Sequence, residues 1–190
     1  ITPILLKAYI INFLNKTHDI VALEMGIFYK DHVKKLAELI KPDTSAMINI
    51  GNAHLGEPGL NTIADTCKNK AYVFKDAKMG FINKDDEELK KLSLKDNKLY
   101  YEDEFLFETN LKELKELYPS EVERDNEGII INGKKIYIPI LTELSIIQYL
   151  IVYNVGMYYG VDEDKIIEVL KEANVNVDYV LRSDKANTGL

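Results

Sequence analysis

The chain has 190 residues, a length that suits one domain or one domain with a small appendage. Hydrophobic residues make up 46% of the chain and charged residues 29%, so it can bury a core and is not expected to be globally disordered. The net charge of -7 argues against a nucleic-acid partner, because no basic stripe is present to displace the counterions of a phosphate backbone.

Predicted helices and strands alternate through the first half of the sequence. Helices are expected from the Thr2-Pro3 start signal, over residues 30–40 and over residues 60–72. Buried strands are expected over residues 19–24 (DIVALE), 45–50 (SAMINI) and 78–83 (KMGFIN). Because crossover helices join parallel strands, this order predicts an α/β fold with a mostly parallel sheet flanked by helices.

The second half begins with a charged stretch, residues 85–125, that is expected to be solvated and irregular apart from a short helix over residues 111–117. Residues 128–138 then predict a small antiparallel hairpin, because Asn132-Gly133 is the dipeptide that a type I′ turn prefers. A long apolar helix over residues 144–159 and an amphipathic helix over residues 163–173 follow.

The cysteine content and the apolar runs bear on the compartment. Cys67 is the only cysteine, so no internal disulfide can form, which fits a reducing cytoplasm. The longest apolar stretch, residues 146–157, contains Gln148 and Asn154 and is too short for a membrane span. The sequence therefore predicts a cytoplasmic protein with no membrane span.

Two polar residues occur where predicted strands end. Glu24 is the last residue of one strand, and His54 follows another in the loop GNAHLGEPG. Ligands of open parallel sheets bind outside the carboxyl ends of the strands, where a carboxylate and an imidazole can hold a divalent ion beside a phosphate. The alternatives are that Glu24 caps a helix or meets water, and that His54 forms a hydrogen bond within its loop.

The stretch from Glu24 to Phe74 resembles the centre of the Mur ligase family, most closely the branch that adds D-alanyl-D-alanine to a UDP-muramoyl tripeptide. The resemblance depends on Glu24-Met25-Gly26, on Asn49-Ile50-Gly51 through Ala53-His54-Leu55, and on Lys68, fourteen residues after His54. The segment GFINKDD, residues 80–86, and the hairpin and helices of residues 136–173 are similar to later parts of the family pattern.

The resemblance implies an ATP-dependent amide ligase that phosphorylates a substrate carboxylate and then lets an amine attack the acyl phosphate. In such an enzyme Glu24 and His54 would bind Mg²⁺, and Lys68 would be a carbamoylated lysine, with Lys70 as the competing choice. Asn83 and Gln148 would contact ATP. The expected partner is a small-molecule substrate, a UDP-linked peptide or amino acid.

The sequence also departs from the family pattern. No Gly-rich phosphate loop precedes Glu24, and Leu144 and Ser145 stand where the family places polar residues that meet adenine. Residues 1–190 are therefore expected to form a single central-type domain without the phosphate-loop part and the C-terminal ligase domain, which would be missing domains of the same parent protein. A degenerate, non-catalytic binding module and a ligase of another amino-acid or folate-type substrate are the alternatives.

Overall fold

The computed structural model describes residues 20–52 and 55–172, so the helix expected from Thr2 and Pro3 lies outside the described residues. The chain divides into two compact units. Among the described residues, the first unit consists of residues 20–46, 55–80 and 91–114, and the second of residues 47–52, 81–90 and 115–172.

The described residues form helices and strands that alternate at first and then follow in groups. The α-helices are α1 (His32–Ile40), α2 (Ile63–Lys70), α3 (Glu143–Tyr158) and α4 (Glu163–Glu172). The strands are β1 (Thr44–Met47), β2 (Met79–Asn83), β3 (Leu92–Lys95), β4 (Lys98–Tyr101), β5 (Glu104–Glu108), β6 (Glu113–Leu117), β7 (Gly128–Ile131) and β8 (Lys134–Tyr137). Short 3₁₀ helices occupy Ala71–Phe74, Leu89–Lys91 and Pro119–Glu121.

The strands form a parallel sheet in the order β1-β2-β6, flanked by helices, and two antiparallel sheets, β3-β4-β5 and β7-β8. The predicted fold class, α/β with a mostly parallel sheet and a small hairpin, is therefore confirmed. Strand β2 is buried along its whole length, as its apolar sequence MGFIN predicts for a strand covered on both faces.

Helix packing in the first unit follows the predicted amphipathic pattern. Helix α1 buries Val33, which forms a core cluster with Ile27 and Leu60. Helix α2 begins at a capping box in which the Thr62 hydroxyl accepts from the backbone N–H of Asp65 and the Asp65 carboxylate accepts from that of Thr62. The backbone N–H of Asp31 donates to Oδ1 of Asn69 at 2.9 Å, which joins the start of α1 to α2.

The charged stretch of residues 85–125 was expected to be irregular, and this prediction was wrong. It contains the antiparallel sheet β3-β4-β5, in which Leu99 and Phe107 face each other as buried partners. Asp96 and Asn97 both have positive φ (50° and 57°), as a type I′ turn between β3 and β4 requires. Burial alternates along β4, where Leu99 and Tyr101 are buried and Lys98 and Tyr100 are half-buried, as in a strand with one covered face.

Two further element predictions were wrong. Residues 111–117 were expected to form a helix, but Glu113–Leu117 is β6, anchored at its two ends by backbone bonds from Lys112 N–H to the Lys78 carbonyl and from Lys84 N–H to the Leu117 carbonyl. Residues 20–24 were expected to form a buried strand, but they form no regular element and are exposed, with Ile20 at 64%. Tertiary pairing decides both cases, because a strand exists only when a neighbour accepts its backbone hydrogen bonds.

The second unit contains the predicted hairpin and the two predicted C-terminal helices. Asn132 and Gly133 have positive φ at the β7–β8 turn, which confirms the expected turn chemistry. Helix α3 buries Ile146, Ile147 and Leu150, and it packs against α4. None of the described helices has both the length and the apolar character that crossing a bilayer requires.

Candidate functional site

Lys68 lies in the last turn of α2, and its ammonium group is held by the β4–β5 hairpin of the first unit. Its Nζ pairs with Oε2 of Glu104, and it lies 4.9 Å from the centre of the Tyr101 ring. Tyr101 and Glu104 face each other across the hairpin, so one two-residue turn presents both the carboxylate and the ring. The Lys68 side chain is 27% exposed and that of Glu104 is 59% exposed.

A second lysine meets the same ring. Lys91 Nζ lies 3.2 Å from the Tyr101 hydroxyl and 5.5 Å from the ring centre. Tyr101 is buried, so its ring forms a fixed surface on which both ammonium groups rest. Lys70, the competing choice, is two positions after Lys68 on α2, about 200° around the helix at 100° per residue, and so it lies on another face.

Glu24, the expected magnesium ligand, is an exposed residue in the irregular segment that precedes α1. The buried side chain of Ile27 fixes the chain three residues later. A solvent-facing carboxylate has the hard oxygen donors that Mg²⁺ takes, so the residue fits that ion chemically. His54 lies outside the described residues, and within residues 20–52 and 55–172 no three His, Cys, Asp or Glu side chains cluster closely enough to hold a metal ion.

Asn83, an expected contact for ATP, is the last residue of β2 and is buried in the second unit. Its Nδ2 donates to the Ile48 carbonyl at 2.9 Å, and its Oδ1 accepts from Asp85 N–H at 3.0 Å. Both ends of the amide thus bond to backbone, and they tie the loop after β1 to the turn after β2. In this structure Asn83 therefore joins two loops of the second unit.

Sequence reasoning assigned no site role to Asp86, the second acid of the GFINKDD turn. Its Oδ2 accepts from Ile50 N–H at 2.9 Å, and its Oδ1 accepts from the N–H groups of Glu88 and Leu89. One carboxylate therefore caps its own turn and also holds the segment 48–52 that follows β1. The sequence contained only a local signal for this role, because an aspartate whose carboxylate accepts from the N–H groups two and three residues later is a typical cap.

Gln148, the other expected contact for ATP, is half-buried on α3 in the second unit. Ser145 beside it is fully buried, and its hydroxyl donates to the Ile140 carbonyl and accepts from Thr142 N–H as part of the helix cap. The Gln148 side chain is thus partly open to solvent, whereas that of Ser145 is not.

Comparison with known proteins gives one family. The sequence model of the Mur ligase middle domain matches residues 2–155, well over half of the chain, and this stretch contains every expected site residue. No curated protein and no solved structure matches the chain.

Proposed function

Because this chain belongs to the Mur ligase family, as its middle domain, we propose that it is the central part of an ATP-dependent amide ligase that builds cell-wall peptide precursors. At the level of the family, ATP-dependent peptide ligation in cell-wall synthesis follows from this membership. The family match across residues 2–155 carries the proposal. Within it, the substrate is a UDP-linked peptide, as in the branch that adds D-alanyl-D-alanine. Other parts of the parent protein supply the phosphate loop and deliver the amine of the incoming substrate.

The proposed reaction has two steps. A carboxylate oxygen of the substrate attacks the γ-phosphorus of ATP, the bond to ADP breaks, and an acyl phosphate forms. The incoming amine attacks the acyl carbon, the amide bond forms, and inorganic phosphate leaves. Mg²⁺ bound by Glu24 and His54 would neutralise charge on the γ-phosphate, and a carbamate on Lys68 would add an anionic oxygen ligand. Gln148 would donate to or accept from an adenine edge.

A second candidate, a Mur-like module that binds without catalysis, is favoured by the start of α3. The Ser145 hydroxyl is already hydrogen-bonded within the helix cap, and the Leu144 side chain has no polar group. Of the three positions at which the family pattern places adenine contacts, only Gln148 can therefore bond to adenine. A ligase of another amino-acid or folate-type substrate is the third candidate, and its active-site chemistry would be the same.

Calorimetry with Mg·ATP tests the proposal on this chain and on the parent protein. Glu24→Ala and His54→Ala should each weaken binding at least about tenfold, the loss expected when a charged ligand contact disappears. Glu172→Ala removes an exposed glutamate at the end of α4 and should leave binding unchanged. Measured ligation by the parent protein would eliminate the non-catalytic module, whereas a parent protein that neither binds nor hydrolyses ATP would eliminate the ligase.

A further inference from the structure

A polar cavity lies in the first unit, where the β3–β4 turn and the end of β5 meet the segment that follows the 3₁₀ helix Ala71–Phe74. Its volume is about 570 Å³, within the range of about 300–1,000 Å³ that small-molecule sites occupy. Its lining includes two lysines, three acids and a threonine: Lys75, Lys98, Asp76, Asp96, Glu108 and Thr109. None of them belongs to the residues proposed to bind Mg²⁺ or ATP or to carry the carbamate, so the cavity offers a place for a different ligand.

Hydrogen bonds join the three segments that surround this cavity. The Thr109 side chain is buried, and its hydroxyl donates to the Phe74 carbonyl at 2.5 Å. The backbone N–H of Thr109 donates to the Asn97 carbonyl, and that of Asn110 donates to the Lys75 carbonyl, both at 2.9 Å. The walls are therefore fixed relative to one another, as a binding site for a small molecule requires.

The charged groups of the cavity do not neutralise one another. Lys98 and Glu108 are partners across β4 and β5, yet no ion pair joins them. Within the part of the chain that the structure describes, no ion pair or side-chain hydrogen bond engages four of the lining residues: Lys98, Asp76, Asp96 and Glu108. Asp76 and Lys98 are half-buried, so solvent screens their charges less than it screens those of the exposed Asp96 and Glu108.

The mixture of charges restricts the class of ligand. Three carboxylates repel a phosphate or a nucleotide. A divalent cation does not fit, because among residues 20–52 and 55–172 no three His, Cys, Asp or Glu side chains cluster closely enough to hold one. A small zwitterion satisfies both signs, since its ammonium group pairs with a carboxylate and its own carboxylate pairs with an ammonium group.

We propose that this cavity binds a short peptide as a zwitterion, with the terminal ammonium group at Asp76 and the terminal carboxylate at Lys98. The cavity has room for more than one amino-acid residue, and its mostly polar lining suits a peptide of small side chains. The inference uses neither ATP nor the ligation reaction, and so it is independent of the proposed function.

NMR titration of the nitrogen-15-labelled chain with glycylglycine tests the site, and the backbone N–H groups of Asn97 and Asn110 report on it. N-acetylglycylglycine keeps only the carboxylate, and glycylglycine amide keeps only the ammonium group. Each blocked form should bind about two- to fivefold more weakly than glycylglycine, the range that one solvent-accessible ion pair supplies. Free glycine should also bind more weakly, because it is too short to reach both charges.

Substitutions assign the two ends of the peptide. Lys98→Gln should weaken binding of glycylglycine and of its N-acetyl form by the same two- to fivefold factor and leave the amide form unchanged. Asp76→Asn should weaken glycylglycine and the amide form and leave the N-acetyl form unchanged. Lys112→Gln and Glu57→Gln remove exposed charges outside the cavity lining and should leave all three affinities unchanged.

Four outcomes would overturn the proposal, with folding of each variant checked by circular dichroism. Equal affinity for glycylglycine and both blocked forms rules out recognition of a zwitterion. Free glycine that binds as tightly as glycylglycine replaces the peptide by a single amino acid. Shift changes that spare Asn97 and Asn110 place the ligand elsewhere, and absence of saturable shift changes in the folded wild-type chain eliminates the site. Each of these results leaves the proposed function untouched, because binding of Mg·ATP is measured separately.

Discussion

Removing the Asp86 carboxylate should destabilise the chain and loosen the segment that follows β1. Asp86→Ala leaves three backbone N–H groups, those of Ile50, Glu88 and Leu89, without their acceptor. Hydrogen bonds to a charged group contribute about 1.5–3 kcal/mol each, but this half-exposed site admits water as a substitute partner. We therefore expect a loss of about 2–4 kcal/mol in the free energy of unfolding.

The variant Asp86→Asn separates the contributions of the two carboxylate oxygens to this loss of stability. An asparagine keeps one side-chain oxygen to cap Glu88 and Leu89, but it turns an amide N–H₂ toward the N–H of Ile50. The loss should fall to about 1–1.5 kcal/mol. Amide exchange at Ile50 should become faster in both variants, whereas exchange at Leu89 should become faster only in Asp86→Ala.

Urea denaturation and NMR-detected amide exchange measure these effects. Glu87→Ala is the matched control, since it removes a neighbouring, exposed acid whose ion pair with Lys90 contributes at most about 0.5 kcal/mol. A stability of Asp86→Ala within about 0.5 kcal/mol of wild type, with unchanged exchange at Ile50, would refute the reasoning.

Three further outcomes are expected. Hydrogen bonds from Tyr153, Asn132 and Lys134 lower the pKa of Glu163 to about 2. The contribution of Glu163 to the free energy of unfolding should therefore be complete above pH 4.5 and should be lost as the pH falls from 4.5 toward 2. Glu163→Gln should flatten that part of an acid-denaturation profile. Burial lowers the pKa of His32 below its ordinary value of 6.5, so stability should decline as the pH falls below 6.5, and His32→Phe should remove this step in thermal melts. Gly128→Ala should cost about 3 kcal/mol or more in urea denaturation, because the new Cβ would lie 2.0 Å from a backbone oxygen in β8; an unaffected midpoint would show that the hairpin register is different.

Local signals in the sequence determined the helices and the tight hairpin. Helices α1 and α4 follow from the apolar periodicity of their own segments, and α3 follows from a long apolar run. The β7–β8 turn follows from the conformational freedom of Asn132-Gly133. The same kind of signal was present at Asp96-Asn97, where two residues that tolerate positive φ separate β3 from β4. The Lys, Glu and Asp content of that stretch instead favoured a solvated, irregular segment.

Tertiary structure alone decided the remaining strands. The sequence of β6 suits a helix about as well as a strand, and pairing in the parallel sheet made it a strand. The apolar residues of 20–24 suit a strand, yet among the described residues they pair with none and remain exposed. Strand formation depends on a partner that is distant in sequence, and no local pattern contains that partner.

The candidate site also combines residues that the sequence identified with contacts that only the tertiary structure decided. The positions of Glu24 and His54 after predicted strands singled out these two residues, and the family resemblance, which is a property of the sequence, added Lys68 to the set. The partners of these residues were not predictable: Glu104 lies 36 residues after Lys68, and Asp86 lies 36 residues after Ile50. Such pairs form only when separate turns of the chain meet in space, so the charge that faces Lys68 and the carboxylate that holds the loop after β1 were decided by the tertiary structure alone.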